Sequence, residues 1–586
     1  MSSHSPDQSN IGGASGAHST WQVSRTPVRG KGVVGAKTPQ AVDAGLAMLA
    51  KGGNAIDAAA AAAFTAGVTE PWMNGLGGGG FMVVWLATER RSLVIEYPMI
   101  SPLAATETMF PLSGGVDAAL FGWPSVVDNA NVLGYRSIAV PGTVAGLALA
   151  VERYGRLPLA TVLEPAIVAA EEGFPVTWHT TLMTAKDLGN LQRFPSTAKV
   201  FLNAQGNPLA SLEQTNPTIL RQPDLAATLR AIVDQGPRAF YEGELAARIV
   251  EFLAANGAII TRDDFAAYEA LDAPTITTGY HGATVHAAGK GTGGTSLSQA
   301  LRMLDRVDLA ASGHGTPETL HLLAQAFRQA FADRFAYLAD PDTNEVPIDA
   351  LLDPEYAAEC VARWREDGLP AIQAGTKARL GVSHTLAGSV PEYALDGSTT
   401  HLGAIDAEGN AVALTQTLLS GWGSRVVAEG TGVLLNNGMM WFDPEPGRPN
   451  SVGGRKRPLT NMAPALVTRG DGVVASVGSS GGRKIMNANA QIISNLVDFG
   501  MDAHAALEAP RIDASTRQLI ASSRFPRATL DRLGALGHAV VTRDETLLTG
   551  DFASPIAIER GEDGTVIGAA DPWYFPATAG TISESH

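Results

Sequence analysis

Cysteine is nearly absent from the chain, since Cys360 is the one cysteine among 586 residues. A single thiol can close no intrachain disulfide and can build no thiolate metal cluster. Cys360 lies in a stretch that is typical of a helix, so we interpret it as a packed side chain rather than a nucleophile. The twelve histidines are scattered, and no His-Glu-x-x-His motif is present. We therefore expect no metal site and no cofactor.

Long apolar runs and an excess of positive charge are also missing. No stretch reaches the ~20 apolar residues that span a bilayer. The polar residues 1–30 lack the charged start and the apolar run of a secretory signal. Lys and Arg number 42 against 58 Asp and Glu, and the resulting net charge of −16 disfavours nucleic acid and anionic membranes as partners. We expect a cytoplasmic globular protein.

The order of secondary-structure signals predicts an α+β protein. Residues 1–30 are expected to form a disordered tail. Thr38-Pro39 begins a helix, an alanine-rich helix follows from about Ala55, and glycines lead into a buried strand at 81–86. Residues 140–380 are expected to be mostly helical, with segments at 144–154, 160–172, 225–235, 245–255 and 317–338. From Thr399 onward the pattern changes to short alternating strands with glycine turns.

Two strand-like runs around Ala407-Glu408-Gly409 predict a hairpin. A three-residue hairpin loop favours Gly in the last place, where the backbone turns left-handed, and Gly409 stands there. Centring the hairpin on Glu408 places Thr399 directly opposite Thr417, at about 4.5–5.5 Å between Cβ atoms. A bulge at the loop would shift this register by one. Such a pair is, by itself, more typical of sheet stabilisation than of a catalytic site.

Eleven short motifs follow one another along the chain. They are the segments 51–58, 75–81, 140–146, 165–166, 172–174, 261–264, 398–401, 435–437, 456–459, 481–482 and 509–511. Each motif is weak alone, but their order and spacing are specific. Together they resemble the motifs of the γ-glutamyltransferase family of N-terminal-nucleophile hydrolases, and the resemblance runs from about Gly32 to Asp513 and more weakly to the end.

The resemblance implies a catalytic set. The chain would cut itself between Ser398 and Thr399, and Thr399 would then be the N-terminal nucleophile, with Thr400 as the rival. Thr417 matches the threonine that hydrogen-bonds the nucleophile. Gly481 and Gly482 match the oxyanion hole, where backbone N–H groups hold developing negative charge. His401 is expected to support its strand rather than to act as a base.

The residues that bind a γ-glutamyl group in this family have no match at the corresponding positions of this chain. The family arginine position falls on Pro98, and the polar position two residues after Thr417 is Leu419. The remaining candidate substrate-binding positions are Gly438, Trp441, Thr460 and Asn461. The segment between Phe442 and Lys456 is also shorter than the lid of some members. Nearby cations that would bind a carboxylate are Arg425, Arg455, Arg457 and Arg483, although each of them is more typically a surface charge.

The resemblance implies a four-layer αββα sandwich built by both halves, a large subunit of residues 31–398 and a small one of 399–586. We expect the two cleaved subunits to stay associated, with a dimer of such heterodimers as a further expectation. The favoured function is hydrolysis of a small amide with a non-γ-glutamyl acyl group, such as a cephalosporin-type acyl group or oxamate. The alternatives are an ordinary γ-glutamyltransferase or glutathione hydrolase and an uncleaved, non-catalytic family member.

Overall fold

The computed structural model describes residues 24–116, 122–213, 215–382, 398–547 and 550–582. Of the predicted disordered tail, residues 1–23 lie outside the described residues. The tail was predicted to reach residue 30, but Val28–Gly30 is a strand that pairs with Val566–Ala570. The ordered chain therefore begins earlier than the sequence suggested, because a short N-terminal strand fills the edge of a sheet.

Twenty-three strands are present in the described residues. In chain order they are β1 Val28–Gly30, β2 Val33–Ala36, β3 Gly79–Leu86, β4 Arg91–Tyr97, β5 Leu112–Val116, β6 Pro124–Val126, β7 Phe174–Pro175, β8 Ile219–Leu220, β9 Leu271–Ala273, β10 Ile276–Tyr280, β11 Ala283–Ala287, β12 Thr400–Ile405, β13 Ala411–Thr417, β14 Val427–Ala428, β15 Val433–Leu434, β16 Ala465–Arg469, β17 Gly472–Ser480, β18 Ile512–Asp513, β19 Leu519–Ser522, β20 Val540–Arg543, β21 Ser554–Arg560, β22 Val566–Ala570 and β23 Thr578–Thr581.

Two antiparallel seven-stranded sheets form the centre of the molecule. One has the order β23-β2-β12-β13-β3-β4-β9, and the other has the order β1-β22-β21-β17-β16-β11-β10. Strands β12 and β13 contact β17, so the two sheets face each other. Helix Ala55–Thr69 packs on β12 and β13 of the first sheet, and helix Lys484–Val497 packs on β17 of the second. The mixed α+β architecture agrees with the sequence-based class.

The helices longer than one turn follow the predicted segments closely in the first two-thirds of the chain. Their bounds are Pro39–Ala50, Ala55–Thr69, Thr143–Tyr154, Leu159–Glu171, Trp178–Lys186, Pro195–Phe201, Pro223–Gln235, Gly243–Ala255, Arg262–Ala266, Gly293–Leu304, Pro317–Tyr337, Pro354–Val361, Lys484–Val497, Ala503–Glu508 and Arg527–Ala535. One-turn α-helices are Leu188–Leu191, Leu309–Ser312, Ile348–Leu351 and Lys377–Leu380, and 3-10 helices are Val127–Asn129, Tyr135–Ser137, Pro237–Phe240 and Gly438–Trp441. Among the described residues, no helix combines the length and apolarity required to cross a membrane.

Two expectations about the second half need correction. Beyond Thr399 the chain contains three helices of six residues or more as well as strands. The strands β12 and β13 are buried along their whole length rather than alternating. Both faces of these strands are covered, by the other sheet and by helices, so burial does not alternate along them.

The alanine-rich helix Ala55–Thr69 positions part of the site. Asn54 caps it with a reciprocal capping box that includes Asp57, and every residue of the helix is buried. Alanine side chains lose little entropy in a helix and let neighbouring backbones approach closely. The helix ends at Glu70, whose side chain is fully buried beside the start of β12.

Candidate active site

The peptide bond between Ser398 and Thr399 lies at the start of β12, with two hydroxyl groups aimed at it. The Ser398 carbonyl oxygen accepts hydrogen bonds from Thr399 Oγ1 at 2.5 Å and from Thr417 Oγ1 at 2.7 Å. The Leu419 N–H donates to Thr417 Oγ1 at 2.8 Å, which fixes that hydroxyl as a donor to the carbonyl. The arrangement holds a carbonyl group between an adjacent nucleophile and a second hydrogen-bond donor.

The register of the β12–β13 hairpin brings Thr399 and Thr417 to the same carbonyl group. Thr400 is opposite Gln416 and His401 is opposite Thr415, and Gly409 has a φ of 89° at the end of the loop. Both the predicted register and the left-handed glycine are confirmed. One step further along, Thr399 and Thr417 reach the same carbonyl group.

The glycine-rich segment before β3 serves close backbone packing. A Cβ atom at Gly78 would lie 2.3 Å from the carbonyl oxygen of Thr417, and one at Gly77 would lie 2.2 Å from that of Leu434. Real Cβ atoms do not approach so closely, so only glycine lets the segment lie against the strand that carries Thr417.

Gly481 and Gly482 form the turn between β17 and helix Lys484–Val497. Gly481 has a φ of 139° and Gly482 a φ of 62°, and a Cβ atom at Gly481 would lie 2.8 Å from Ala553 Cα. Their carbonyl oxygens accept from the N–H groups of Lys484 and Ile485. Gly481 and Ser398 line the same cavity, so the turn lies near the carbonyl that Thr399 would attack.

A buried carboxyl group that sequence reasoning missed lies beside the candidate nucleophile. Glu70 accepts hydrogen bonds from Thr400 Oγ1 at 2.6 Å and from the Tyr574 hydroxyl at 2.7 Å. Trp72 Nε1 donates to the Tyr574 oxygen at 3.0 Å. Burial raises the pKa of Glu70 above its ordinary value, opposed by these hydrogen bonds and by Lys37. Because the Thr400 hydroxyl is committed to Glu70, Thr399 is better placed than Thr400 to attack Ser398.

Lys37 is the buried cation of this region. Its Nζ donates to the Ser554 carbonyl at 2.7 Å and to Ser554 Oγ at 2.6 Å, and it lies 5.2 Å from the centre of the Tyr574 ring. Burial lowers the pKa of Lys37, while the nearby Asp571 and Glu70 oppose that shift. In the sequence, Lys37 and Glu70 are charged residues at the ends of buried elements, and that position is the signal that could have indicated this cluster.

His401 behaves as a packed, neutral side chain. Its pKa is lowered to about 3, first by burial and then by the positive charge of Lys37. Its Nδ1 lies 2.9 Å from Thr415 Oγ1, and a Cβ atom at Gly478 would overlap the imidazole ring. These contacts fit the expected role in supporting the strand.

A cavity of about 320 Å³ opens beside Ser398. Of the predicted site residues, Ser398 and Gly481 contribute to its wall, as does the candidate cation Arg425. Arg425 is paired with Asp187 at 2.6 Å, and both line the cavity. The rest of the lining includes aromatic and sulfur-containing side chains, as well as Lys186, Asp571 and small residues.

The predicted substrate-binding residues lie elsewhere, in the packed interior. Leu419 is buried with a φ of 96°, and Gly438 and Trp441 are the ends of a buried 3-10 helix. Thr460 and Asn461 are bound by Arg334, which donates to the Thr460 carbonyl at 2.6 Å and to Asn461 Oδ1 at 3.1 Å. None of these five is among the described residues that line the cavity.

The other candidate cations lie outside the cavity lining. Arg457 pairs with Asp342 at 2.8 Å, and Arg455 is exposed, with its backbone N–H donating to the Ser101 carbonyl. Arg483 is buried over the Phe335 ring, at 5.9 Å from its centre, and burial lowers its pKa to about 10. Among the described residues no group of acidic, histidine and cysteine side chains is arranged to hold a metal ion.

Comparisons with known proteins agree with the geometry. The family model described as gamma-glutamyltranspeptidase matches residues 41–580. The acylase ACY 1 proenzyme of Pseudomonas sp. (strain SE83) is 36% identical over 94% of both chains, and the glutathione hydrolase proenzyme of Escherichia coli (strain K12) is 32% identical over 93% of this chain and 91% of its own. The crystal structure of cephalosporin acylase from Bacillus halodurans superposes with a TM-score of 0.83 at 27% identity, covering 96% of this chain and 98% of that one. The chain belongs to the gamma-glutamyltranspeptidase family and is a self-processing amidohydrolase or acyltransferase of the N-terminal-nucleophile type.

Proposed function

We propose that the protein cuts itself between Ser398 and Thr399 and then hydrolyses a small amide whose acyl group is not γ-glutamyl. The observation that carries the proposal is the Ser398 carbonyl, which accepts hydrogen bonds from both Thr399 Oγ1 and Thr417 Oγ1. The layers described above support a four-layer αββα sandwich shared by a large subunit of residues 31–398 and a small one of 399–586.

Self-cleavage follows from this geometry in two steps. Thr399 Oγ1 attacks the Ser398 carbonyl carbon, the C–N bond breaks, and the hydroxyl proton passes to the Thr399 nitrogen, which leaves an ester. Water then hydrolyses the ester to a Ser398 carboxylate and a free Thr399 hydroxyl and α-amino group. The Thr417 hydroxyl stabilises the negative charge that develops on the Ser398 oxygen in each step.

After cleavage, the α-amino group of Thr399 supplies the base that its hydroxyl group requires. A hydroxyl is a weak nucleophile without an adjacent base. An α-amino group has a pKa of about 7.7–8.0, so a useful fraction is neutral near pH 7 and takes the hydroxyl proton. Substrate attack gives an acyl ester on Thr399, and Gly481 and Gly482 are the proposed donors to its oxyanion.

The acyl preference rests on the positions where the family holds polar contacts to γ-glutamyl groups. The chain has Pro98, Leu419, Gly438 and Trp441 there, and all four are buried. A Cβ atom at Gly438 would lie 2.8 Å from Ala139 Cβ, so a longer side chain does not fit without movement. The Pro98 carbonyl already accepts from the Tyr268 hydroxyl at 2.6 Å. None of these four positions therefore offers a charged side chain to a zwitterionic amino-acid group, whose burial without partners is unfavourable.

Self-cleavage is tested by intact mass and N-terminal sequencing of the purified protein. We expect two fragments, the smaller beginning Thr-Thr-His-Leu. Thr399→Ala should remain at full length and be inactive, whereas Thr400→Ser should still be cut. A single uncut chain with full amidase activity would overturn the mechanism.

The acyl preference is tested by kcat/KM on γ-glutamyl, glutaryl and oxamate-type amides. Losing two charge-assisted hydrogen bonds, at about 1.5–3 kcal/mol each, lowers the rate on the order of a hundredfold or more. We expect the γ-glutamyl substrate to be the poorest of the three. If it is the best by tenfold or more, the ordinary glutathione hydrolase activity stands instead.

A further inference from the structure

A cluster of aromatic and sulfur-containing side chains lines the cavity beside Ser398. The lining includes Trp72, His179, Met183, Trp422, Trp573 and Tyr574. The Trp72 ring lies 6.2 Å from that of Trp422 and 5.6 Å from that of His179, and the His179 and Tyr574 rings are 4.9 Å apart. Rings at these spacings form a surface on which another aromatic ring gains offset or edge-to-face contacts.

His179 adds a polar nitrogen to the aromatic part of this wall. Its side chain is 1% exposed, and Nδ1 has no hydrogen-bond partner among the described residues. Burial lowers the pKa of His179 to about 4, so the ring is neutral near pH 7. A buried nitrogen without a partner is unfavourable by about 1–3 kcal/mol, and a bound polar atom would remove that cost.

Arg425, one of the charged groups of the lining, is already engaged. Its Nε donates to Asp187 Oδ2 at 2.6 Å, and its Nη1 donates to Ser420 Oγ at 2.9 Å and to the Gly423 carbonyl at 2.6 Å. A substrate carboxylate would have to compete with Asp187 for this guanidinium. Lys186 and Asp571 also line the cavity, so its charged side chains are two of each sign. With no net charge in the lining, the cavity favours an uncharged group.

The position of Ser398 indicates which part of a substrate enters the cavity. In the uncut chain Ser398 is the acyl side of the scissile bond, and its Oγ donates to the Trp72 carbonyl at 2.9 Å and contacts Met73 Sδ at 2.8 Å. In the proposed function the same nucleophile, Thr399, serves both self-cleavage and turnover. The acyl group of a substrate therefore takes the place of Ser398, against this wall.

We propose that the preferred substrates are amides of aryl-substituted carboxylic acids, with the aromatic ring of the acyl group seated among Trp72, Trp422 and Trp573. A volume of about 320 Å³ is at the lower end of the range for ligand pockets and admits a substituted ring. This assignment rests on the proposed function, because it requires Thr399 to form the acyl ester.

The test uses the self-cleaved protein and four p-nitroanilides that carry phenylacetyl, butyryl, glutaryl or γ-glutamyl groups. We expect kcat/KM for phenylacetyl to exceed that for each of the others by at least tenfold. Trp573→Ala removes a half-buried ring of the wall and should lower the phenylacetyl-to-butyryl ratio at least tenfold. Trp364→Ala is the matched control, since Trp364 is likewise half-buried and is not among the lining residues, and it should leave the ratio unchanged.

Binding of phenylacetate, followed by tryptophan fluorescence, gives a readout that does not require turnover. We expect saturable quenching by phenylacetate, weakened at least tenfold in Trp573→Ala, and little response to butyrate. A cut enzyme that prefers butyryl or glutaryl anilide, or that shows no saturable phenylacetate binding, would overturn the aryl assignment alone. A chain that is never cut would overturn the proposed function instead.

Discussion

Two hydrogen bonds fix the orientation of the Thr417 hydroxyl group. It accepts from the Leu419 N–H and donates to the Ser398 carbonyl. The φ of 96° at Leu419 is unfavourable for a residue with a side chain, and this conformation accompanies the N–H contact to Thr417. A strained backbone next to a catalytic hydroxyl is consistent with a site that is preorganised before cleavage.

Replacing Thr417 by valine keeps the shape of the side chain and removes the donor to the Ser398 carbonyl. Loss of one donor to a developing oxyanion slows such reactions by roughly 10²–10³-fold. We expect Thr417→Val to accumulate uncut chain for hours after purification, followed by the ratio of full-length to cut protein on gels. Thr417→Ser, which keeps the hydroxyl, should be cut at nearly the natural rate. Equal cleavage rates for the two variants would exclude Thr417 from the reaction.

His179 should make the protein sensitive to mild acid. Its folded-state pKa is lowered to about 4 from an ordinary 6.5, chiefly by burial. Between these pH values the unfolded chain binds a proton that the folded protein does not, so stability is lost as the pH falls from 6.5 to 4. The slope is about 1.4 kcal/mol per pH unit, with a total of about 3 kcal/mol over the window.

The variant His179→Phe keeps an aromatic ring in the cavity wall and removes the titrating group. Urea unfolding at pH 6.5 and pH 5 should therefore show a smaller loss of stability for the variant, by about 2 kcal/mol over this interval. The other buried histidines contribute equally to both proteins. Identical slopes for the two proteins would mean that His179 is protonated in the folded state.

At the scale of elements, the β12–β13 hairpin was predictable because its register depends on local chemistry. A three-residue loop ending in glycine fixes the pairing of both strands, and Gly409 supplies the left-handed residue. The long amphipathic helices were predictable for the same reason, since their apolar spacing is visible within one segment.

Other parts of the site depend on contacts that no local pattern records. Glu70 and the Tyr574 hydroxyl that it binds are 504 positions apart. The burial of β12 on both faces hides the alternation by which a strand is recognised. Which residues line the cavity is likewise set by the meeting of distant segments. Ser398 and Gly481, chosen from family motifs, are among them, whereas the five predicted substrate-binding positions lie in the packed interior.

The hairpin offers a direct stability test at this scale. Gly409→Ala meets no atom closer than 3.6 Å, so its cost comes from the φ of 89° alone, about 1–2 kcal/mol. We expect the free energy of unfolding to fall by this amount in urea titrations. Gly279→Ala is the control, since Gly279 lies in β10 at a φ typical of strands with open space around its Cα. A loss of equal size in both variants would show that the loop conformation is not the cause.

At the scale of the whole molecule, both large sheets contain strands from either side of the proposed cleavage site between Ser398 and Thr399. In one sheet, β12 and β13 of the small subunit lie between β2 and β3 of the large one. In the other, β16 of the small subunit pairs with β11 of the large one, and β22 pairs with β1. Each subunit alone would expose unpaired strand edges and the apolar faces of both sheets.

We therefore expect the cut protein to remain one particle with one unfolding transition. The two fragments should co-elute in size-exclusion chromatography in buffer and separate only in denaturant, because the shared strands must unpair first. Residues 399–586 expressed alone should aggregate, while the uncut Thr399→Ala chain should elute and melt as a single species of the same size. The decisive measurement is the mass of the eluting particle together with the fragments it contains. Release of the small fragment in buffer, without unfolding of the large one, would show that the sheets are not held together across the cut.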